Sequence, residues 1–481
     1  MSYKHGLYGS LVASDESITT SKTVPIYIGT APIHRIKSDN RIINKPLLIN
    51  NLEQAQIKLG YRETDDFDKF TLSAVVFAHF SNKIQSIGPI VVIVVDTITT
   101  AENENINVEI INGIGTILDN AILDTISIEN KVLSVDYDLK YNESGILEIL
   151  ELDEKKPLEK SSIVTYKKVD TLKIKTENII GLYNEENETR TGIQAIQDVY
   201  ESLNIIPEII AAPGYSQIKE IEQALVKVTS KISDRWEAIC YTDIDSKEAD
   251  SRTKAIKWKE QNNYNSKCEK TCWPKFITGK KVLWGSIVAI VRKLQTDAEN
   301  DGIPYESSSN KVIDIDGLTV NGQQIRFSQE KANELNEKGI TTAIYSGGKY
   351  VLWGPHMANY DYGSTTAVDE IFDVNIMMNK YLLNDFNYRN IDLIDKPMTR
   401  NDVDAIIVSE QTILNSYVTA GQLLYGEIGF NNNTNSRSDM IQGDFTFDTL
   451  VTNTPPAKSI TQRVKSTSKG IDNLYTVEEE K

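Results

Sequence analysis

The chain of 481 residues is long enough for about two to four domains, each able to bury its own core without a disulfide or a metal. Hydrophobic residues make up 40% of it and charged residues 25%, which excludes a largely disordered protein. The formal net charge of -17 repels phosphate backbones and anionic lipid headgroups, so we expect no nucleic acid partner.

We expect neither an export signal nor a membrane-spanning segment. Residues 1–20 are polar and acidic where an export signal needs an apolar stretch. The longest apolar runs, 74–80 and 90–95, are far shorter than the about 20 residues of a membrane-spanning helix. We therefore expect a protein without membrane insertion that is assembled in a cytoplasm and released by lysis.

The first part of the chain predicts an extended arm and then a strand–helix core. Residues 1–22 show no sustained periodicity, whereas residues 24–30 are almost wholly apolar and indicate a buried strand. Asn51 is a favourable N-cap for a helix that ends at Gly60. This first core segment is predicted to span residues 23–96. Its other predicted elements are a helix at 69–83 and a strand at 90–95.

In residues 97–177 the sequence changes to a pattern in which apolar and polar residues alternate. Val135, Tyr137, Leu139 and Tyr141 alternate with polar residues, as in an antiparallel strand with one face in solvent. Turn signals separate several short strands, which indicates a small inserted sandwich or barrel. The other predicted strands are 107–111, 122–128, 146–152 and 163–168.

Alternating helices and strands resume in residues 178–365, which favours a sheet covered by helices. The predicted helices there are 191–203, one that begins after Ser216, 282–295 and 329–338, and the predicted strands are 208–212, 237–241 and 349–353. Residues 366–466 predict an α+β domain, and residues 467–481 a C-terminal arm. The elements predicted for that domain are helices at 368–383 and 401–420 and strands at 444–451 and 459–464.

The sequence carries no strong motif for catalysis or for a cofactor. The region of Gly279 and Lys280 lacks the first glycine and the hydroxyl of a phosphate-binding loop. Cys268 and Cys272 could begin a zinc site, but no second pair exists, so ordinary cysteines in and beside a helix are favoured for these two. All three cysteines, Cys240 included, are expected to be reduced thiols. We expect no catalytic, cofactor-binding or metal site.

Asp243 and Asp245 offer the one candidate for enzymatic chemistry. They follow a predicted strand end, where α/β enzymes place acids that transfer protons or bind metals. Among 68 acidic residues, two neighbouring acids are more often a solvated loop. A cytoplasmic α/β enzyme is kept as an alternative function.

Four stretches, taken in order, resemble the contractile tail sheath family, which includes the sheaths of bacteriophage tails and of phage-tail-like bacteriocins. They are His5–Tyr8 with Val24–Pro32, Pro207–Ser216, Leu335–Ile340 with Tyr350–Gly354, and Gly421–Gly426 with Asn453–Pro456. The resemblance implies α/β and α+β domains in a tail-sheath core, with an inserted antiparallel β domain on the outer surface and extended N- and C-terminal arms.

The resemblance also implies a structural role rather than an enzyme. Hexameric rings of the subunit would stack helically around a tail tube and contract to drive the tube through the host envelope for genome delivery. The implied partners are further copies of the chain, the tail tube protein, and baseplate and tail terminator proteins, all within a virion tail. The alternative is the sheath of a headless contractile particle. No cofactor is needed, because the difference between two lattices of contacts supplies the work.

In that family both arms add strands to a sheet in neighbouring subunits. Strand donation relies on main-chain hydrogen bonds and suits polar, β-tolerant residues. The residues expected in the arms are Ser17, Ile18, Thr19, Thr20, Ser21, Ser459, Ile460, Thr461, Gln462, Arg463, Val464 and Lys465.

Residues 456–470 form a basic strip in an acidic protein. They contain four basic residues and no acid. The strip either contacts the tube or an acidic neighbour, or is a solvated tail. The basic residues are Lys458, Arg463, Lys465 and Lys469.

Overall fold

The computed structural model of the chain describes residues 19–152 and 158–471. Ser17 and Ile18 lie outside the described residues. The strands of the first segment are β1 (Thr19–Thr20), β2 (Pro25–Gly29), β3 (Pro46–Ile49), β4 (Ile87–Gly88) and β5 (Ile90–Val94), and its helices are α1 (Leu52–Leu59) and α2 (Thr71–Phe80). Asn51 caps α1 as predicted, its side chain accepting the Gln54 amide.

Residues 102–168 form two antiparallel three-stranded sheets around a core of their own. The strands are β6 (Glu102–Glu109), β7 (Ile114–Ile117), β8 (Ser127–Ile128), β9 (Tyr137–Tyr141), β10 (Leu147–Glu151) and β11 (Ser161–Lys168). The sheet orders are β7-β10-β9 and β6-β11-β8. Of the strand predicted at 122–128, only the last two residues pair, because residues 123–125 form a 3-10 turn.

Polar contacts fix these two sheets against the rest of the subunit. Arg35 forms an ion pair of 2.6 Å with the buried Asp65, and its guanidinium lies over the ring of Tyr141. Arg41 pairs with Asp124 at 2.7 Å. The 102–168 unit therefore has a defined orientation on the core.

The second core segment and the C-terminal part contain the remaining elements. The helices are α3 (Thr176–Ile180), α4 (Val199–Leu203), α5 (Lys219–Thr229), α6 (Arg252–Asn262), α7 (Gly285–Glu299), α8 (Gln329–Asn336), α9 (Asp373–Arg389), α10 (Arg400–Thr419) and α11 (Arg437–Gln442). The strands are β12 (Tyr183–Asn184), β13 (Thr189–Arg190), β14 (Ile209–Ala211), β15 (Ile239–Asp243), β16 (Glu269–Cys272), β17 (Lys275–Thr278), β18 (Lys281–Leu283), β19 (Gly317–Val320), β20 (Gln323–Ile325), β21 (Ile340–Ser346), β22 (Lys349–Trp353), β23 (Leu423–Gly429) and β24 (Asp448–Asn453).

The core is an eight-stranded sheet of order β22-β21-β16-β15-β14-β2-β5-β3. The six inner strands are parallel, and the two edge strands run antiparallel to their neighbours. Helices α2 and α7 cover one face, and α4 and α5 cover the other. Because both faces are buried, β5 is an unbroken apolar run, as its sequence predicted.

Strands β16 and β21 were not predicted from the sequence pattern. Cys272 lies in β16 and Cys268 just before it, so the expectation of cysteines in and beside a helix was wrong. Glu269 and Lys270 are fully buried in this strand. Their polarity hid the strand, since a buried strand is expected to be apolar.

Candidate assembly surfaces

The N-terminal end of the described chain lies on the subunit's own body. Thr19 and Thr20 pair in parallel with Ile87 and Gly88 of β4. Ser21 is buried and donates its amide hydrogen to the Gly88 carbonyl oxygen at 2.7 Å. These contacts are within one chain, so exchange of this segment between copies stays a prediction.

The C-terminal domain presents a two-stranded sheet, β23 paired with β24. Within residues 19–152 and 158–471 no other strand pairs with its two outer edges. Its inner face packs on α10, where Gly426 approaches so closely that an added Cβ would stand 3.1 Å from Leu414. Its outer face exposes Tyr425 and Leu450. Unpaired edges backed by a helix can accept an added strand.

A groove of about 450 Å³ lies beside this sheet, between β24, α9 and α10. The ion pair between Arg389 and Glu410 also lines it. The groove gives the side chains of an added strand an apolar surface on which to be buried. Its apolar lining includes Leu382, Leu383, Phe386, Ile413, Phe447 and Val451.

After Asn453 the chain leaves the domain as an exposed segment, residues 457–471, which we call the strap. Every strap residue is exposed, and Ile460 and Val464 are 88% and 83% exposed. The strand predicted at 459–464 is not formed, because no strand of the described ranges pairs with it.

The strap cannot easily fold back onto the strand it follows. Pro455 and Pro456 fix φ and lack amide hydrogens, and a residue before proline is held in extended conformations. Thr454 is further held by a hydrogen bond of 2.9 Å from its hydroxyl to the Gly421 carbonyl oxygen. The strap is thus directed away from β24.

The strap and the C-terminal domain have opposite charge. Residues 373–453 contain 11 acidic and 5 basic residues, whereas residues 456–470 contain four basic residues and no acid. Arg463, Lys465 and Lys469 are exposed, and Lys458 reaches Tyr360 and Tyr362 of its own subunit. Segments of opposite charge attract each other, and this attraction weakens with salt.

Asp243 is a structural residue rather than part of an open loop. It is buried at the end of β15, where its carboxylate accepts hydrogen bonds from the backbone amide and the hydroxyl of Ser286 at the start of α7. Burial raises the pKa of Asp243 to about 6. Asp245 lies two residues further and accepts the Lys247 amide. The pair does not converge on a shared pocket.

The other candidates for chemistry are also engaged in the core. His79 is buried with one ring nitrogen 3.0 Å from the Ile87 carbonyl oxygen and the other 2.8 Å from the Tyr27 hydroxyl. Burial raises the pKa of Cys240 and Cys272. Across residues 19–152 and 158–471, no group of three potential metal-ligating side chains comes together. In the same ranges no helix has the length and apolarity to cross a membrane.

Two aromatic residues near the strap were not identified from the sequence. Tyr360 and Tyr362 follow β22 in a loop and line a second groove, of about 580 Å³, together with Trp353. Residues 456–460 form part of the wall of this groove. The only sequence signal is the spacing of two tyrosines in a loop, which is too common to indicate a site.

Comparison with known proteins gives the class of the fold. The chain superimposes on a structure of the anti-feeding prophage baseplate with a TM-score of 0.59 and 13% identity, covering 97% of this chain and 100% of the other. The contracted helical sheath of the anti-feeding prophage gives a TM-score of 0.56 and 12% identity, over 96% of this chain and 100% of the other. At these identities the similarity establishes the fold, which is that of contractile sheath structures.

Sequence comparison agrees with the fold. No protein-family profile matches the chain. A prophage major tail sheath protein of Pseudomonas aeruginosa is 24% identical over 307 residues, 60% of this chain and 72% of that protein. The tail sheath protein of Burkholderia phage BcepMu is 23% identical over 318 residues, 63% of this chain and 64% of that protein, which is less than two thirds of its length. The chain is thus a homologue of tail sheath proteins, which are structural proteins and not enzymes, and the resemblance predicted from its motifs is confirmed.

Proposed function

We propose that the chain is the subunit of a contractile tail sheath that polymerises as stacked hexameric rings around a tail tube. Contraction of this lattice would drive the tube through the host envelope and deliver the genome. The partners would be further copies of the chain, the tail tube protein, and the baseplate and tail terminator proteins. The particle would be assembled in the host cytoplasm and released by lysis.

The strap is the observation that supports this proposal. It is exposed, no strand of the described ranges pairs with it, and it alternates apolar Ile460 and Val464 with the basic Arg463 and Lys465. The β23–β24 sheet has unpaired edges and an apolar groove beside it. The strap of one copy would add to this sheet in the next copy, with its apolar face on the groove and its basic face outward.

For the N-terminal arm, we propose that only the residues before Thr19 are donated to a neighbouring subunit. Thr19, Thr20 and Ser21 are paired with their own body, so exchanging them requires breaking the β1–β4 pairing. Deleting residues 1–18 should leave a folded subunit that fails to form tubes, and normal tubes would exclude an N-terminal arm.

Proline substitution tests strand addition through the strap. In an added edge strand, alternate residues direct their amide hydrogens toward the partner, and proline is tolerated only where the amide faces solvent. Thr461 and Gln462 are adjacent, polar and exposed, so they are matched positions of opposite orientation. We expect one of T461P and Q462P to abolish polymerisation and the other to preserve it, as seen by negative-stain microscopy.

Both variants should remain folded, because residues 461 and 462 lie in no helix or strand of the subunit. Circular dichroism and gel filtration of each variant provide this control. Tubes from both variants, or from neither, would contradict pairing of this segment as an edge strand.

A phage tail and a headless contractile particle require the same lattice. Mass spectrometry of particles purified from a lysate separates them, because capsid proteins accompany the subunit only in a phage. The similarity to phage and prophage tail sheath proteins supports the phage tail.

A further inference from the structure

The base of the strap is held on the body of its own subunit by one long side chain. The Lys458 ammonium lies 5.8 Å from the ring centroid of Tyr362, and at Tyr360 it lies at the hydroxyl end of the ring, 3.5 Å from the hydroxyl oxygen. A lysine ammonium within about 6 Å of an aromatic face is attracted by the ring quadrupole. Lys458 is therefore a cation held at the ring of Tyr362 and at the hydroxyl of Tyr360.

The ring of Tyr360 belongs to a fixed stack. It lies 3.6 Å from the ring of His356 with an interplanar angle of 5°, and His356 stacks on Phe372 at 5.4 Å. One nitrogen of His356 donates to the Ile371 carbonyl oxygen. Burial lowers the pKa of His356 to about 4, so at neutral pH the stack brings no positive charge toward Lys458.

The segment between the hairpin and Lys458 is stiff as well. Thr454 is hydrogen-bonded to Gly421, and Pro455 and Pro456 follow it. Lys458 is thus the second residue held on the body, four residues after Thr454. The residues that follow Lys458 are exposed, and no strand of the described ranges pairs with them, so the contact with the body ends where the proposed donor strand begins.

We propose that Lys458, Tyr360 and Tyr362 form an anchor that aims the strap, so that residues 459–465 leave the free subunit from one place and in one direction. This inference rests on the proposed function. A held base removes part of the conformational entropy that the strap loses when it adds to a neighbouring sheet, which favours assembly. Lys458 then acts within its own subunit and not as a contact with the tube.

The anchor can be tested in the free subunit by thermolysin, which cuts before large apolar residues. The rate of cleavage before Ile460, next to the anchor, is divided by the rate of cleavage before Val464 in the same chain. Protease activity and global stability affect both rates equally, so they do not change this cleavage ratio. The variant is Y362L, because Tyr362 is 66% exposed and the cut sequences are unchanged. Loss of one exposed cation–π contact should raise the ratio about two- to fivefold.

The matched control is Y183L. Tyr183 is 46% exposed and also carries a cation over its ring, Arg190 at 4.6 Å, but it lies in the β12–β13 hairpin. Y183L should leave the cleavage ratio unchanged. Equal ratios in Y362L and Y183L would overturn the anchor.

The critical subunit concentration for tube formation tests whether the anchor directs the strap toward a neighbouring subunit. Y362L and K458Q should each raise the critical subunit concentration for tube formation about two- to fivefold, and the double variant should add little, because both remove the same contact. Additive effects, or an effect of K458Q alone, would mean that Lys458 contacts a neighbour and would refute the proposal. The cleavage ratio tests the anchor in the free subunit, before assembly. The variants T461P and Q462P test strand exchange during assembly, so the anchor and strand exchange can be refuted independently.

Discussion

Asn384 of α9 pairs with the backbone of Glu237, two residues before β15. Its side-chain oxygen accepts the Glu237 amide at 3.0 Å, and its side-chain nitrogen donates to the Glu237 carbonyl oxygen at 2.8 Å. The Lys380 ammonium, one turn earlier, pairs with the Glu237 carboxylate at 2.6 Å. One helix face thus ties the C-terminal domain, which carries the strap and the β23–β24 sheet, to the central sheet.

Replacing Asn384 with leucine should loosen this junction. The variant N384L leaves both backbone groups of Glu237 without their partner, and an unsatisfied buried polar group costs about 1–3 kcal/mol. We expect a loss of this size in the free energy of unfolding, measured by urea titration. The control is N387L, which removes one hydrogen bond to Arg235 on the same helix and should cost less than about 1 kcal/mol. Equal losses would mean that Asn384 has no special role at the junction.

The buried carboxyl of Asp243 should make stability depend on pH. Its pKa is raised to about 6 by burial, and an unfolded aspartate titrates near 4. Because the folded state holds the proton more tightly, this group's contribution is complete below about pH 4 and is lost as the pH rises to about 6. Asparagine cannot ionise, so D243N should gain stability relative to the native chain over that interval, by on the order of 3 kcal/mol. Urea unfolding at pH 4, 5, 6 and 7 measures the difference, and a difference that stays constant with pH would contradict the assignment.

Gly145 should tolerate no side chain, because it meets the core at Arg35. Its φ is +72°, and an added Cβ would lie 2.7 Å from a guanidinium nitrogen of Arg35. We expect G145A to lose about 1–3 kcal/mol, part of it from backbone strain. Gly113 provides the control, since its φ is +76° but its nearest neighbour for a Cβ is 3.5 Å away. Thermal unfolding of G145A and G113A therefore separates strain from contact, and equal shifts would show that Arg35 simply moves aside.

The sequence predicted the strands that are buried and therefore consist of an apolar run. Residues 90–95 and 349–353 were expected as strands and form β5 and β22, because an apolar run needs little information from elsewhere. β16 escaped prediction since the charge of Lys270 is compensated by Asp373, 103 residues later. No local pattern reports a partner at that distance. Periodicity likewise placed a strand at 459–464, but could not show that no strand within residues 19–152 and 158–471 pairs with it.

The 102–168 unit should be removable without loss of the sheath core. Its first and last strands pair Glu102 with Lys168, so the two cut ends are neighbours and a short Gly-Gly linker can join them. The cut belongs at 168 rather than at 177, because Ile179 of α3 is buried in the cluster that covers the sheet with α5. The unit buries its own apolar core and meets the body mainly through polar side chains, so its removal should expose little apolar surface.

We expect the shortened subunit to be monodisperse by gel filtration and to form tubes of reduced outer diameter by negative-stain microscopy. A longer deletion, 102–177, is the informative control, because it removes two residues of α3 and should destabilise the core. If the shorter deletion aggregates while isolated residues 102–168 fold, the unit is needed by the body, and its position on the core is a structural requirement. If both deletions form tubes equally well, α3 contributes nothing to the body.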